Sequence, residues 1–205
     1  MTWIVERKAG SAAALHGLDV PDRRTVWLMD VERAAIVLGS SQRGEVVAPS
    51  GVDVVRRRSG GGAVWVAPTG CLWVDDVVPR GDRLWDDDIG RSALWLGRAW
   101  AGARGAGAGG PEGPMVRTPW SATFCFAGVA AGEVTQGPGG PKLVGISQRR
   151  TRVGARFQCV AYDPWSAEPL ASAVGAPGSA VGSAGASIGD LKDLEAALLA
   201  LLRTF

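Results

Sequence analysis

The run from Arg56 to Val64 has the residue types and spacing best suited to binding an anion. It reads RRRSGGGAV, so three arginines and Ser59 precede three consecutive glycines. Glycines let the backbone approach a ligand and direct amide N–H groups toward an anion, while arginine pairs with phosphate or carboxylate. The run lacks the GxxxxGK[ST] spacing of a P-loop. It is also not a GxGxxG dinucleotide-binding motif, because that motif is followed by a helix, whereas AVWV after these glycines predicts a strand. On residue types alone, the run predicts either an anion-binding glycine loop or a glycine hairpin turn beside a solvated arginine face.

A second segment combines a cysteine with an isolated lysine. Cys125 lies in TFCFAG, and Lys142 begins KLVGISQRR after a spacer that contains the turn sequence GPGGP. An ammonium held between a turn and a strand can stabilise the charge that develops at a carboxyl or acyl-phosphate group during acyl transfer. From residue type alone, the alternatives are a solvated surface lysine and a buried, inert strand cysteine.

Composition limits the classes of function. The 205 residues suffice for one domain, 46% hydrophobic residues allow a core, and a net charge of +2 gives no general attraction for nucleic acid or anionic lipid. Cys71, Cys125 and Cys159 form no CxxC pair, which argues against a disulfide framework or a zinc site and favours a reducing compartment. The N-terminus lacks an apolar signal core, and no stretch approaches about 18 apolar residues. We therefore expect a cytoplasmic protein that binds neither nucleic acid nor membrane.

The chain contains one histidine, His16, in an alanine-rich segment. An HExxH zinc helix and most two-histidine acid–base schemes are therefore excluded, and a Ser-His-Asp triad would have to use His16 itself. We predict that His16 lies on a helix or loop without a catalytic task.

Apolar runs predict many strands and few helices. The predicted strands are 3–7, 25–28, 35–39, 52–56, 63–66, 71–78, 123–129, 133–135, 143–146 and 157–162, with 25–28 and 35–39 forming a hairpin. The predicted helices are 11–18, 85–101 and 190–202, with Ser11 and Asp190 as N-caps and three aspartates at the start of the second. The Gly/Ala-rich stretches 101–114 and 171–189 are predicted as low-complexity connections, the first of them flexible. This pattern is typical of an α+β domain built on a mixed or antiparallel sheet.

Together, RRRSGGGAV and KLVGISQRR closely resemble the catalytic domain of the superfamily of lipoate-protein ligases, octanoyltransferases and biotin-protein ligases. The resemblance spans residues 26–162 and is closest to the lipoate-protein ligases, in which a lysine precedes a small-residue segment such as GSAQR. It implies a class II aminoacyl-tRNA synthetase/biotin-ligase-like fold: a mixed, largely antiparallel sheet with flanking helices. We expect one such domain over residues 1–205.

The resemblance also implies a reaction. In the ligases, lipoate or octanoate reacts with ATP and Mg²⁺ to form an acyl-adenylate. The acyl group then passes to a lysine of a lipoyl carrier domain, as in the acyltransferase subunit of a 2-oxoacid dehydrogenase or the H protein of glycine cleavage. By position, Lys142 would hold the carbonyl and phosphate oxygens. The acyl-adenylate would be bound by Arg57, Arg58, Ser59, Gly60, Gly61, Gly62, Ala63, Gly145 and Ser147. Neither a metal-ligand set nor a permanently bound cofactor is implied.

Two departures leave alternatives open. Octanoyltransferases use no ATP and take octanoate from acyl carrier protein through a cysteine thioester. One subgroup has that cysteine before a phenylalanine, as in Cys125-Phe126, but has arginine where this chain has Gly62. In addition, Val66-Ala67 replaces the His-Asp pair of the ligases, which favours a non-catalytic module that binds a lipoyl domain or an acyl ligand. We expect no C-terminal accessory domain in this chain, although some ligases obtain one as a separate chain.

Overall fold

Two β-sheets form the framework of the structure, a computed structural model that describes residues 2–43, 46–105, 108–109, 112 and 115–205. In chain order the strands are β1 (Ile4–Gly10), β2 (Thr25–Val31), β3 (Ala35–Leu38), β4 (Asp53–Arg56), β5 (Val64–Val66), β6 (Cys71–Pro79), β7 (Ala108–Gly109), β8 (Val134–Gln136), β9 (Lys142–Arg150) and β10 (Gly154–Tyr162). Over the described residues, the larger sheet has seven strands in the order β1-β2-β6-β10-β9-β8-β7, and the smaller has three in the order β4-β3-β5. Within the larger sheet only β1 and β2 pair in parallel, so the predicted mixed, largely antiparallel sheet is confirmed.

Helices cover the sheets and connect their strands. They are α1 (Ala12–Gly17), α2 (Leu94–Arg104), α3 (Glu168–Ala173), α4 (Gly178–Val181) and α5 (Leu191–Leu202), with short 3₁₀ turns at Cys125–Ala127 and Gly182–Ala184. Ser11 caps α1 by accepting a hydrogen bond from the Ala14 amide, and Asp190 caps α5 by accepting from the two amides of Lys192 and Asp193. Both predicted N-caps are therefore confirmed. In the described part of the chain, every helix is too short or too polar to cross a bilayer.

The larger sheet separates two apolar cores. On one face, strand residues such as Val74 and Phe157 pack beneath Trp100 of α2 and Leu198 of α5. On the other face, Trp73 and Val160 pack with residues of the smaller sheet and with Leu15 of α1. This second face contains two rows of side chains across β9, β10 and β6: Gly145, Val160 and Trp73, and beside them Ser147, Gln158 and Asp75.

The predicted hairpin of 25–28 and 35–39 is wrong. The strand β2 pairs with β1 on one edge and β6 on the other, so neither edge is free for β3. Instead, β3 lies between β4 and β5 in the smaller sheet. The turn after β2 therefore carries the chain from one sheet to the other.

The predicted helix 85–101 begins only at Leu94. Asp86 accepts a hydrogen bond from the Asp88 amide at 2.8 Å, and Asp88 accepts one from the Gly90 amide at 2.7 Å. Such local side-chain to backbone bonds compete with helix formation. The aspartates thus form turns before α2 rather than its first turn.

Two further expectations need correction. The predicted strand 123–129 is instead a 3₁₀ turn over Cys125–Ala127, preceded by a single bridge between Phe124 and Ala63. The stretch 171–189 contains the end of α3 and all of α4, which pack in a third apolar cluster through Leu170 and Val181. Within the flexible connection predicted over 101–114, residues 106, 107, 110, 111, 113 and 114 lie outside the described residues.

Candidate functional site

The glycine loop, residues 57–63 between β4 and β5, is organised around the buried side chain of Arg57. Nη2 of Arg57 donates hydrogen bonds to the carbonyl oxygens of Gly60 at 2.7 Å and Gly62 at 2.8 Å, and Nη1 donates to Val37 at 3.2 Å. Gly61 has φ of 95°, a conformation that favours glycine. Arg57 therefore holds the loop in place, whereas its neighbour Arg58 is exposed.

The glycine loop packs directly against the segment that contains Cys125. The Ala63 amide donates to the Thr123 carbonyl at 2.8 Å, and the Cys125 amide donates to the Ala63 carbonyl at 3.0 Å. A Cβ atom on Gly62 would lie 2.4 Å from the carbonyl carbon of Phe124. Position 62 therefore has no room for a side chain, and the arginine of one octanoyltransferase subgroup does not fit this backbone.

The two sequence motifs meet at a pair of serines. Ser59 Oγ lies 3.0 Å from Ser147 Oγ and donates a hydrogen bond to Gln158 Oε1 at 2.7 Å. Ser59 belongs to RRRSGGGAV and Ser147 to KLVGISQRR. The structure thus brings together segments that are far apart in the chain, as the resemblance implies.

Lys142 is buried and paired. Its Nζ lies 2.6 Å from Glu133 Oε2 and donates to the Cys125 carbonyl oxygen at 2.6 Å. The Glu133 carboxylate also accepts hydrogen bonds from the amides of Ala130 at 2.6 Å and Ile146 at 3.0 Å. The solvated-lysine reading is therefore wrong: with 1% of Lys142 exposed, its ammonium has a fixed position. Glu133 lies outside the two motifs, and its one signal in the sequence is that it is an isolated acid in the otherwise uncharged segment 133–135.

Cys125 lies beside this ion pair. Its Sγ is 4.0 Å from Glu133 Oε1, and a Cβ on Gly145 would lie 3.2 Å from the sulfur. Burial raises the pKa of the Cys125 thiol, and the Glu133 carboxylate raises it further, while the cations Lys142 and Arg57 oppose this shift. The thiol is therefore protonated at neutral pH and would need to lose its proton before it could act as a nucleophile.

A narrow cleft extends from Cys125 across the sheet. Its cavity volume is about 20 Å³, and about 340 Å³ of space lies along it when the part open to solvent is counted. Four residues assigned by sequence line it: Arg57, Cys125, Gly145 and Ser147. Its apolar walls come from Val64, Val66, Trp73 and Val160. The other residues assigned by sequence do not line the cleft: Arg58, Gly60 and Gly61 are exposed at the surface, and Ser59, Gly62, Ala63 and Lys142 are buried.

The cleft wall also contains two polar residues that the sequence analysis missed, His16 and Gln158. The His16 Nδ1 is 2.8 Å from Gln158 Nε2, and the imidazole lies against Trp73 with ring centroids 4.5 Å apart. Burial lowers the pKa of His16 to about 3, and the nearby cations Arg156 and Arg57 contribute to the shift. His16 is therefore a neutral member of the site. Its sequence context, one histidine on a short helix, carried no signal of this position.

A buried ion pair supports this part of the cleft. Arg156 Nε donates to Asp75 Oδ2 at 2.5 Å, and the Trp73 indole donates to Asp75 Oδ1 at 2.6 Å. Arg156 also donates to the carbonyl oxygens of Leu15 and Leu18 at 2.8 and 3.1 Å. The Arg156 side chain thus joins the end of α1, which carries His16, to the sheet.

A wider groove opens on the other side of Phe126. It holds about 1,470 Å³ including its open side and is lined by Phe126, Glu133, Thr135 and the turn 138–141. Phe126 stacks on Trp165 at 4.6 Å and has Lys142 Nζ 5.5 Å from its ring centre. The Lys142–Glu133 pair and Cys125 therefore lie between the cleft and the groove.

Among the described residues, His, Cys, Asp and Glu side chains form no cluster of three or more that could hold a metal ion.

Solved structures share this fold. Lipoate-protein ligase A bound with ATP aligns with a TM-score of 0.69 and 16% identity over 98% of this chain and 83% of that chain. A Thermoplasma acidophilum protein assigned to the lipoate protein ligases, with bound lipoic acid, aligns with a TM-score of 0.67 and 15% identity over 98% and 83%. A bi-partite lipoate protein ligase from the same organism, studied with its E2 lipoyl domain, aligns with a TM-score of 0.66 and 14% identity over 98% and 81%.

The chain thus has the fold of the lipoate-protein ligases, and the fold implied by the two motifs is confirmed. The sequence itself matches no protein-family model and no curated protein. At this level of identity, the likeness establishes the fold alone.

The packing of the glycine loop makes a prediction about stability. Gly62→Ala should lower the free energy of unfolding by about 2 kcal/mol, because the new Cβ must displace backbone atoms of Phe124 and Cys125. Gly60→Ala is the matched control, since a Cβ there meets nothing within 4 Å, and should change stability by less than about 0.5 kcal/mol. Urea denaturation of both variants measures the difference. Equal stabilities would contradict the close packing.

The environment of Cys125 predicts its reactivity. The rate of alkylation at Cys125 can be measured as a function of pH by peptide mass spectrometry. We expect the pH of half-maximal rate to lie above roughly 8.5, the pKa of a free cysteine. In Glu133→Gln this midpoint should move to lower pH, because a carboxylate that disfavours the thiolate is gone while the Lys142 ammonium remains. Circular dichroism checks that the variant is folded. An unchanged or higher midpoint would show that Glu133 does not act on the thiol.

His16 should remain neutral over the physiological range. Because burial disfavours the imidazolium, the NMR signals of this single histidine should not titrate between pH 7 and 5 and should have their midpoint near 3. Guanidinium-unfolded protein is the control and should titrate at roughly 6.5. A midpoint near 6.5 in the folded protein would place the imidazole in solvent.

Proposed function

We propose that this chain is a lipoate-protein ligase-like acyltransferase. It activates lipoate or octanoate with ATP and Mg²⁺ as the acyl-adenylate and transfers the acyl group to a lysine of a lipoyl carrier domain. One observation carries the proposal: the two motifs meet at Ser59 and Ser147 and line one narrow cleft, within the fold of the lipoate-protein ligases.

The residues around the cleft support distinct roles. The apolar walls formed by Val64, Val66 and Val160 suit a medium-chain acyl group. In this proposal the Lys142 ammonium, held beside the Cys125 carbonyl, stabilises negative charge at the reacting carboxyl and phosphate oxygens. The exposed Arg58 and the backbone of Gly60 and Gly61 lie at the surface, where they can meet the nucleotide part of the adenylate. The wider groove beyond Phe126 offers a route for the carrier lysine.

The comparisons support the substrates and the partner. Related folds are known with ATP or with lipoic acid, and one is a bi-partite ligase studied with its E2 lipoyl domain. By this analogy the carrier is a lipoyl domain of a 2-oxoacid dehydrogenase or a glycine cleavage H protein. The catalytic domain in this proposal comprises residues 1–205. We place the reaction in the cytoplasm, in line with the three free cysteines.

A second candidate is ATP-independent octanoyl transfer through Cys125. It is favoured by the position of Cys125 in the cleft wall, beside the glycine loop and 4.0 Å from the Glu133 carboxylate, which can accept the thiol proton. The thiolate would attack the thioester carbonyl of octanoyl acyl carrier protein and release the carrier thiol. The closed position 62 argues against this route, because it cannot hold the arginine of the relevant subgroup.

Intact-mass spectrometry separates these reactions. The protein is incubated with an apo lipoyl domain and either lipoate plus Mg-ATP or octanoyl acyl carrier protein. Carrier acylation that needs ATP supports the ligase, whereas an octanoyl adduct that is absent in Cys125→Ala supports the transferase. Carrier or lipoate binding without turnover in either arm would indicate the non-catalytic binding module.

The role of Lys142 gives a prediction for the ligase assay. Lys142→Met should lower the rate of acyl-adenylate formation by about 10²-fold or more, as expected for loss of a preorganised charge. Because this variant leaves Glu133 buried without its partner, the double variant Lys142→Met/Glu133→Gln should be equally inactive but more stable. Lys192→Met, at an exposed lysine, is the matched control and should keep the rate. Normal activity in the folded double variant would refute the role.

A further inference from the structure

The hydrogen bonds around Gln158 determine the tautomer of His16. Gln158 Oε1 accepts from Ser59 Oγ at 2.7 Å, and Gln158 Nε2 faces Asp75 Oδ2 at 3.4 Å. Asp75 is paired with Arg156 and can only accept. The amide of Gln158 therefore directs its NH₂ group toward Asp75 and His16, so Nδ1 of His16 must accept at 2.8 Å. In the neutral ring the proton is then on Nε2.

This Nε2–H group has no hydrogen-bond partner among the described residues, although it is buried. Only 8% of His16 is exposed, and the residue lines the narrow cleft. An unpartnered buried donor is costly, so it is normally satisfied by water or by a ligand. Of the described residues that line the cleft, His16 and Arg57 each have one such unpartnered donor, His16 Nε2–H and Arg57 Nε–H.

The His16 ring contacts β10 and β6, the two strands that follow β9 in the sheet, through Gln158 and Trp73. Cys125 and Gly145 line the cleft at β9, whereas His16 packs on Trp73 of β6. Gly145, Val160 and Trp73 form one row across three adjacent strands, which spans roughly 10 Å at the usual strand spacing. An extended eight-carbon chain, with bonds of about 1.5 Å, is about 9 Å long. An acyl chain that ran along this row from a carboxyl carbon at Gly145 would end near Trp73, the residue on which His16 packs.

We propose that His16 is a specificity-determining residue, which selects medium-chain acids that carry a hydrogen-bond acceptor at the end of the chain remote from the carboxyl group. The inference rests on the proposed function for the orientation of the acyl group. The ring sulfurs of lipoate can accept the Nε2–H bond, whereas the terminal methyl group of octanoate leaves that donor buried and unsatisfied. His16 acts by binding and does not take part in the chemical step.

NMR tests the contact directly, because His16 is the one histidine of the chain and needs no assignment. In a long-range ¹H–¹⁵N spectrum of the intact protein, we expect the Nε2–H tautomer. Saturating lipoate or 8-hydroxyoctanoate should shift the Nε2 and Hε2 resonances, and octanoate should shift them by less than half as much. The Nδ1–H tautomer, equal shifts with all three acids, or binding of none of them would overturn the inference.

Affinities provide the second readout. By calorimetry the intact protein should bind lipoate at least about 5-fold more tightly than octanoate. His16→Phe keeps an aromatic ring against Trp73 but removes both nitrogens. Lipoate and octanoate should then bind with about equal affinity. His16→Gln retains an N–H donor on this side chain and should restore part of the preference. A preference that persists in His16→Phe would overturn the inference.

The two proposals fail separately. Carrier acylation with an unchanged lipoate preference in His16→Phe would refute the role of His16 and leave the ligase intact. A His16-dependent preference in binding without any carrier acylation would refute the ligase and leave the role of His16 intact.

Discussion

The close contact between the glycine loop and the Phe124–Cys125 backbone is the constraint on which the site depends. It requires position 62 to be glycine, since a Cβ would lie 2.4 Å from a backbone carbon. The same contact pairs Ala63 with Thr123 and Cys125 through backbone hydrogen bonds. Because Lys142 then donates to the Cys125 carbonyl, the loop, the cysteine and the lysine hold one another in position. The Cys125 backbone is therefore the element that the loop and the lysine share.

Hydrogen bonds and ion pairs fix the buried charges around the cleft, although Arg57 Nε has no partner among the described residues. Arg57 donates to three backbone carbonyls, Lys142 pairs with Glu133, and Arg156 pairs with Asp75. Burial of a charge costs several kcal/mol, so such groups remain charged only when hydrogen bonds and counter-charges compensate. The groups are therefore oriented before any ligand arrives. Preorganised donors of this kind are what stabilise developing charge in acyl transfer, because no reorganisation is needed during the reaction.

The sequence could predict features that depend on local chemistry or on a continuous motif. Ser11 and Asp190 are recognisable from sequence as N-caps. The two motifs predict the fold because their residues meet in the folded chain, where Ser59 contacts Ser147. Features decided by tertiary pairing could not be predicted. Nothing near β2 shows that both its edges are occupied, and the aspartates before α2 are equally compatible with a helix start and with turns. Glu133 and His16 lie outside the motifs, so only the folded chain brings them to the site.

The residues Val66-Ala67, where the lipoate-protein ligases that the motifs resemble have a His-Asp pair, have a physical consequence for the cleft. Val66 is 2% exposed and forms part of the apolar wall, where an imidazole would need a buried partner of its own. Ala67 exchanges hydrogen bonds with the Cys71 thiol through its backbone and offers no side-chain acceptor. The wall formed by β5 is therefore apolar, and the one imidazole reaches the cleft from α1, supported by Gln158. A ligand in the cleft thus meets apolar side chains on β5, while the polar contacts come from Arg57, Ser147, Gln158 and His16, so recognition of a polar group depends on that part of the wall.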